Sequence, residues 1–316
     1  MTRRGAGMFA YRVSGLSVSS DLALPGLIAG DPCEPADIVI REGDVPTTLP
    51  EGSIAAGPNW QMADERFLLA VPGIVRMAIS ARREIRYALD GGDARDAAPF
   101  VGGTGFGILL HQRGRIVLHA SAVRVGDGAA LFCGPSGAGK STLAAGLVGA
   151  GHALLADDFC AITIDPDRGA MVHPDGRQLK LWDNAIASLS LEAQRADPVR
   201  AKLRKFHVEP QAAVTAPLPV RAVYVLREAR PPQLPGIVQP NIVDGAMLVG
   251  RNAYRPSLVE RMRQQDLYFR AAALLAGARP GGVFTLTRRL DFADFTDVLD
   301  SLKAHWRTIG LAESVW

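Results

Sequence analysis

LFCGPSGAGKST, residues 131–142, decides how the rest of this chain is read. A short apolar run enters a glycine-rich loop, and Lys140, Ser141 and Thr142 then open an alanine- and leucine-rich segment. Gly134, Gly139, Lys140 and Ser141 satisfy the pattern G-x-x-x-x-G-K-[ST] in the strand–loop–helix context that the pattern requires. Gly134, Gly137 and Gly139 let the backbone bend until successive N–H groups line a concavity for anionic oxygens. The helix that follows contributes its unpaired N-terminal N–H groups and its dipole. Lys140 supplies a point charge for outer phosphates, and the Ser141 hydroxyl is a ligand suited to Mg²⁺. The run Gly134, Pro135, Ser136, Gly137, Ala138, Gly139, Lys140, Ser141 and Thr142 is therefore expected to bind the phosphates of a nucleotide. A plain glycine turn would have to match four positions by chance.

Around that loop the composition is ordinary. Of 316 residues, 48% are hydrophobic and 21% charged, which suits one or two folded domains with a sizeable core. The formal charge of +3 is small and the arginines are scattered, so a nucleic-acid footprint is not expected. Cys33, Cys133 and Cys160 have no metal spacing and form no even-numbered disulfide set, so they read as reduced, buried thiols. The N-terminal segment has Arg12 where a secretory signal needs an apolar stretch, and no run is long enough for a membrane span. A cytoplasmic protein without nucleic-acid or membrane partners is expected, with oligomeric state left open.

Residues 9–90 read mainly as strands, with partial apolar alternation in FAYRVSGLSVSS, ADIVIRE and RFLLAV separated by Pro/Gly clusters. This predicts a β-rich N-terminal domain over residues 1–95 and a catalytic domain over 96–316, with GGDARDAAP at 91–99 as the junction. FVGGTGFGILLHQ, residues 100–112, misses the G-x-G-x-x-G spacing and has no strand immediately ahead, so it reads as a glycine-containing helix packed on the following strands. IVLHASAV is expected to be one strand, Gly126 to start a hairpin turn, and Gly151 to end the helix after the loop. Residues 195–205 look like a basic surface segment or loop, 257–276 like one long helix, and 295–306 like a final amphipathic helix.

Catalysis needs more than a phosphate loop. Asp157 and Asp158 end the apolar strand after the loop helix, and in a parallel sheet such strand ends gather at one edge beside the nucleotide. One carboxylate can hold Mg²⁺ while the other accepts a hydroxyl proton. His119 alone would be a packed histidine, and His152 beside Gly151 suits a helix end.

His119, GPSGAGKS at 134–141, Gly151-His152 and ALLADD at 153–158 together resemble the catalytic core of the HPr serine kinase/phosphorylase family. That likeness implies an α/β fold: a P-loop kinase core of the HPr kinase/phosphoenolpyruvate carboxykinase type, here with a small β-rich N-terminal unit. It implies ATP and Mg²⁺ as cofactors. Asp157 would be the general base toward a serine hydroxyl, Asp158 would assist the metal with Ser141, and His119 and Lys140 would lie at the reacting phosphate. The family's E-x-R-G-x-G signature is absent; QLKLWDNAI at 178–186 and RNAYRP at 251–256 stand in its place. Those segments, with YRVSGLSVSSDLALPGL near the start, resemble the branch encoded with lasso-peptide biosynthesis. That branch implies phosphorylation of the C-terminal serine of a precursor peptide. Lys180, Arg251 and Arg255 then become candidate substrate contacts. The alternatives are a kinase acting on HPr or another carrier protein, a small-molecule kinase, and a non-catalytic nucleotide sensor.

Overall fold

The computed structural model describes residues 3–4, 7–49, 55–175, 178–189, 191, 195–198, 205–208 and 214–311. The first of its two large sheets runs in space from Arg3–Arg4 through Met8–Val13, Leu16–Ser20, Ile38–Glu42, Glu84–Leu89, Val75–Ser80, Arg66–Val71 and Trp60–Ala63 to Ala55–Gly57. Alternation is cleanest in VRMAIS, where Val75, Met77 and Ile79 are buried and the residues between them are half-exposed. After Ile38–Glu42 the chain crosses to the far edge and meanders back. Glu84–Leu89 therefore lies parallel beside Ile38–Glu42.

A helical rod covers this sheet. It runs through Ala94–Pro99, a π-helical turn over Phe100–Gly105 and Phe106–Gln112, and Asp93 caps it by accepting from the Asp96 N–H at 2.9 Å. Two of its glycines are close-contact positions. A Cβ at Gly105 would sit 2.9 Å from Met77 Sδ, and one at Gly107 would sit 2.5 Å from the Tyr254 ring. The rod was expected on the strands that follow it, but it is sandwiched: one core joins it to the preceding sheet and continues to Val117, Phe159 and Ala161.

The second sheet is mixed rather than parallel. Gly128–Cys133, Leu218–Glu228 and Gly282–Arg288 run parallel, while Ala120–Val125 lies antiparallel between Gly128–Cys133 and Leu154–Ala156. Across that strand Leu154–Ala156 still points the same way as Gly128–Cys133, so Asp157 and Gly134 emerge at one edge as the sequence suggested. Ile116–Leu118, Cys160–Asp165 and Gly169–His173 extend the sheet through the start of Leu218–Glu228. One face is covered by the loop helix Lys140–Gly149 and the C-terminal helix Phe295–Thr308, with Leu143, Leu147, Leu302 and Trp306 inside. The other carries Ile242–Arg251 and Gln265–Gly277 around Val249, Ala271, Ala272 and Leu275.

Several expectations need correction. IVLHASAV is two strands, Ile116–Leu118 and Ala120–Val125, broken at His119. The helix expected over 257–276 is two, Pro256–Arg261 and Gln265–Gly277, parted where Arg263 takes φ 55°. Residues 195–198 and 205–208 are strands: 205–208 is the middle strand of a three-stranded sheet, between Leu179–Trp182 and 195–198; 199–204 lie outside the described residues. Cys33 is exposed, whereas Cys133 and Cys160 are buried, and all three are free thiols. Among the described residues no helix is long and apolar enough to cross a membrane.

Candidate active site

The glycine loop, Asp157, Asp158 and Arg288 leave the sheet at the edge where the parallel strands end. Gly134 leaves Cys133 with φ 153°, and Gly137 and Gly139 take φ 84° and 79°. These values suit glycine and turn the loop back over the first turn of Lys140–Gly149. A Cβ at Gly139 would also crowd Arg288 Nη2, which closes over this position. Lys140 is buried and curls back, its Nζ donating to the Gly134 carbonyl at 2.8 Å and to the Pro135 carbonyl at 3.1 Å. Carbonyls hold the ammonium at the mouth of the loop, the position a phosphate oxygen would compete for.

Two cavities meet at this loop. The first, about 320 Å³, is lined by Ser136, Lys140, Ser141, Asp158, Lys180 and Arg288, and closes on Leu290, Phe292 and Phe295. The second, about 810 Å³, lies across the loop and carries Arg227, Glu228, Arg251 and Arg255. His119, Ser136, Gly137 and Leu290 line both. The break in the strand at His119 turns that ring toward the junction. Its backbone N–H donates to the Asn252 carbonyl at 2.8 Å, and its ring meets Tyr254 edge-on at 6.5 Å. All of the loop residues, Lys180, Arg251, Arg255 and Asp158 thus line one cavity or the other: Gly134, Pro135 and Ala138 only the second, Gly139, Lys140, Ser141 and Thr142 only the first, Ser136 and Gly137 both.

The two aspartates face opposite ways. Asp157 is 1% exposed and lines neither cavity. Its Oδ1 accepts from Ser121 Oγ at 2.7 Å, its Oδ2 from the Lys180 N–H at 3.2 Å, and its own N–H donates to buried Asp175 at 3.0 Å. Asp158 looks into the first cavity, pairs with Lys180 Nζ at 3.3 Å, and holds φ 81°. A non-glycine residue held there is strained, and such strain collects at functional sites.

Arg288 is the group that pattern reading missed. It is 4% exposed, donates from Nη2 to the Ala138 carbonyl at 2.9 Å, and leaves Nε buried with no hydrogen-bond partner among the described residues. Burial alone pushes its pKa below the usual arginine value. A buried guanidinium without a carboxylate is costly, and an anion in the cavity would complete it. The signal was available: a cation ending an apolar strand stands at the same sheet edge as Asp157.

The donor set suits a hard cation bridging phosphates. Ser141 and Asp158 offer a hydroxyl and a carboxylate on one cavity, the kind of sparse oxygen set Mg²⁺ uses when phosphates supply further ligands. Among the described residues no cluster of three or more His, Cys, Asp or Glu forms a cage of its own.

No family model and no curated protein matches the chain. Among solved structures it is similar to the Hpr(Ser) kinase/phosphatase from Coxiella burnetii. The likeness is at 13% identity, covering 61% of this chain and 98% of that one, with a TM-score of 0.32. A score that low carries no assignment of activity, so the chemistry below rests on the cavity's own residues.

Proposed function

We propose that the chain is an ATP- and Mg²⁺-dependent kinase that phosphorylates a serine hydroxyl of a peptide, the C-terminal serine of a lasso-peptide precursor being the favoured acceptor. One observation carries the kinase reading: a helix N-terminus, Lys140, Ser141, Asp158, Lys180 and Arg288 converge on a single cavity whose junction with a second is marked by His119. The choice of acceptor comes from the sequence resemblance in residues 178–186 and 251–256.

In this reading the loop amides, Lys140 and Arg288 neutralise the phosphates, and Leu290, Phe292 and Phe295 form an apolar end suited to a purine. Ser141 and Asp158 would hold Mg²⁺, which spreads the charge developing on the β- and γ-phosphates. The acceptor Oγ forms the new P–O bond as the bond to the ADP oxygen breaks. Such transfer is loose and metaphosphate-like, so placing the hydroxyl matters more than early proton removal. Asp158, the member of the pair that faces that space, takes the proton late in the transfer and so carries both roles that the resemblance divides between it and Asp157; Asp157, behind it, fixes Ser121 and the Lys180 backbone. Lys180 orients the Asp158 carboxylate through their ion pair.

Purified protein with ATP, Mg²⁺ and either C-terminal-serine precursor peptides or HPr, read by intact mass, tests this. A gain of one phosphate on the peptide, lost in Lys140→Ala, is expected. Transfer to HPr alone would reassign the acceptor, and full activity of Lys140→Ala would remove the loop from the mechanism.

A further inference from the structure

Arg255 borders two cavities. On one side it lines the space shared with His119 and Arg251; on the other it lines a third cavity of about 440 Å³, walled by Trp60, Phe67, Leu69 and Phe100. Trp60 and Phe67 belong to the N-terminal sheet and stack with centroids 5.6 Å apart and planes 10° from parallel. The Arg261 guanidinium lies over the Trp60 ring at 5.0 Å. Among the described residues no carboxylate lines this third cavity. Well-packed interiors leave few voids larger than a water molecule, whereas an apolar pocket with a few placed polar groups is what ligand sites look like.

Arg255 is fixed where the cavities meet. Its φ of 51° is rare for an L-residue. Its Nη2 donates to Thr104 Oγ1 at 2.9 Å on the helical rod, and its guanidinium sits 5.6 Å from the Tyr254 ring. The left-handed turn sends the side chain back toward the N-terminal unit while Pro256 starts the next helix. The chain thus places an aromatic cavity and a positive rim next to the junction at His119.

We infer that the aromatic cavity is an acceptor subsite: it takes a large apolar side chain of the peptide, whose adjacent carboxylate is read by Arg251 and Arg255. This rests on the kinase reading and gives the N-terminal sheet a part in substrate choice. The charge argues for the occupant. Arg251, Arg255 and Arg261 on or beside the two cavities are opposed by Glu228 as the one carboxylate among the described residues that line them. An acidic, apolar acceptor complements that surface, and a lysine-rich one does not.

The test is a kinetic comparison of paired synthetic serine peptides that share one acidic residue and differ in carrying phenylalanine or glycine at each other position. Wild type should show a KM lower by about tenfold or more for the best phenylalanine peptide, the order expected for burying such a side chain. Ser257→Trp, which fills the exposed mouth, and Trp60→Ala, which removes a wall, should each raise KM for that peptide toward the glycine value, the change falling in KM rather than kcat. Equal KM for both peptide sets in wild type, or a preference surviving in both variants, overturns the subsite alone. A wild-type protein that forms no phosphopeptide overturns the kinase reading, and the subsite with it.

Discussion

Asp157 and Asp158 are neighbours in sequence, yet one is inside and the other outside. Two consecutive residues leaving a strand point to opposite sides, and here one side holds Ser121 and Asp175 and the other holds the cavity. A D-D pair is legible in sequence, but the division of labour between its members is not. Asp158→Asn is expected to lower phosphotransfer by a hundredfold or more, roughly 3 kcal/mol of barrier, while the fold stays intact. Asp157→Asn keeps one accepting oxygen and turns an NH₂ toward the other of its two donors, the Ser121 hydroxyl and the Lys180 N–H, so its first effect should be on stability, by about 1–3 kcal/mol. Transfer rates and denaturation midpoints measured on both variants decide it. If Asp157→Asn kills transfer with its midpoint unchanged, the base is Asp157 and the site rearranges on binding substrate. Arg288 gives the complementary lesson. It is paired with the loop by the sheet, 150 positions along the chain from Ala138, and its one local sign is a cation at the end of an apolar strand.

Among the elements, the loop helix was legible because its signals are local: glycines before it, Lys140 and Ser141 at its start, Gly151 with φ 95° after it. Ile242–Arg251 was overlooked, although Asn241 accepts from the Asp244 N–H at 2.9 Å and marks its start as a capping residue should. The single helix expected over 257–276 failed because apolar periodicity runs across Met262, Arg263 and Gln264, where the backbone reverses hand at Arg263. Glycines inside helices carried information of a different kind. Gly146 has Phe295 over it, and a Cβ there would lie 2.3 Å from the ring of a side chain that is 8% exposed. An exposed helical glycine changed to alanine gains about 1 kcal/mol of helix propensity. Here the sign reverses: Gly146→Ala should lose about 1–3 kcal/mol net, because the Phe295 ring must shift against a packed face. A denaturant midpoint at or above that of wild type would mean that Phe295 gives way freely.

At the scale of the whole molecule, the rod from Ala94–Pro99 through Phe106–Gln112 ties the two sheets into one core, and His111 is buried in it. His111 Nε2 donates to the Tyr254 carbonyl at 2.8 Å, the residue beside Arg255, so this histidine also holds the joint between the cavities. Burial lowers its pKa from 6.5 to about 4. His173, beside Arg115, is lowered in the same direction by burial first and by that charge second. Both bind a proton more readily when the chain is unfolded. Their contribution is therefore complete above about pH 6.5 and is lost as pH falls toward about 4, on the order of 3 kcal/mol for His111. Denaturation midpoints taken from neutral pH down to about pH 4 should fall steadily, and His111→Gln should flatten part of that slope. A wild-type midpoint that stays level across the range would show that His111 is protonated in the folded chain.

The sequence by itself determined the glycine-rich loop before a helix, the carboxylate pair after it and the strand-rich start, because each depends on neighbours within a few residues: glycine φ angles, a helix N-terminus, alternation along a strand. Tertiary structure alone decided which aspartate meets the cavity, that Arg288 closes over Gly139, and that Arg255 stands between His119 and an aromatic pocket of the N-terminal sheet. Those facts depend on which distant strands share an edge and which side chains they leave no other place to go. The backbone sets that by pairing Gly128–Cys133 with Leu218–Glu228, and Leu218–Glu228 with Gly282–Arg288.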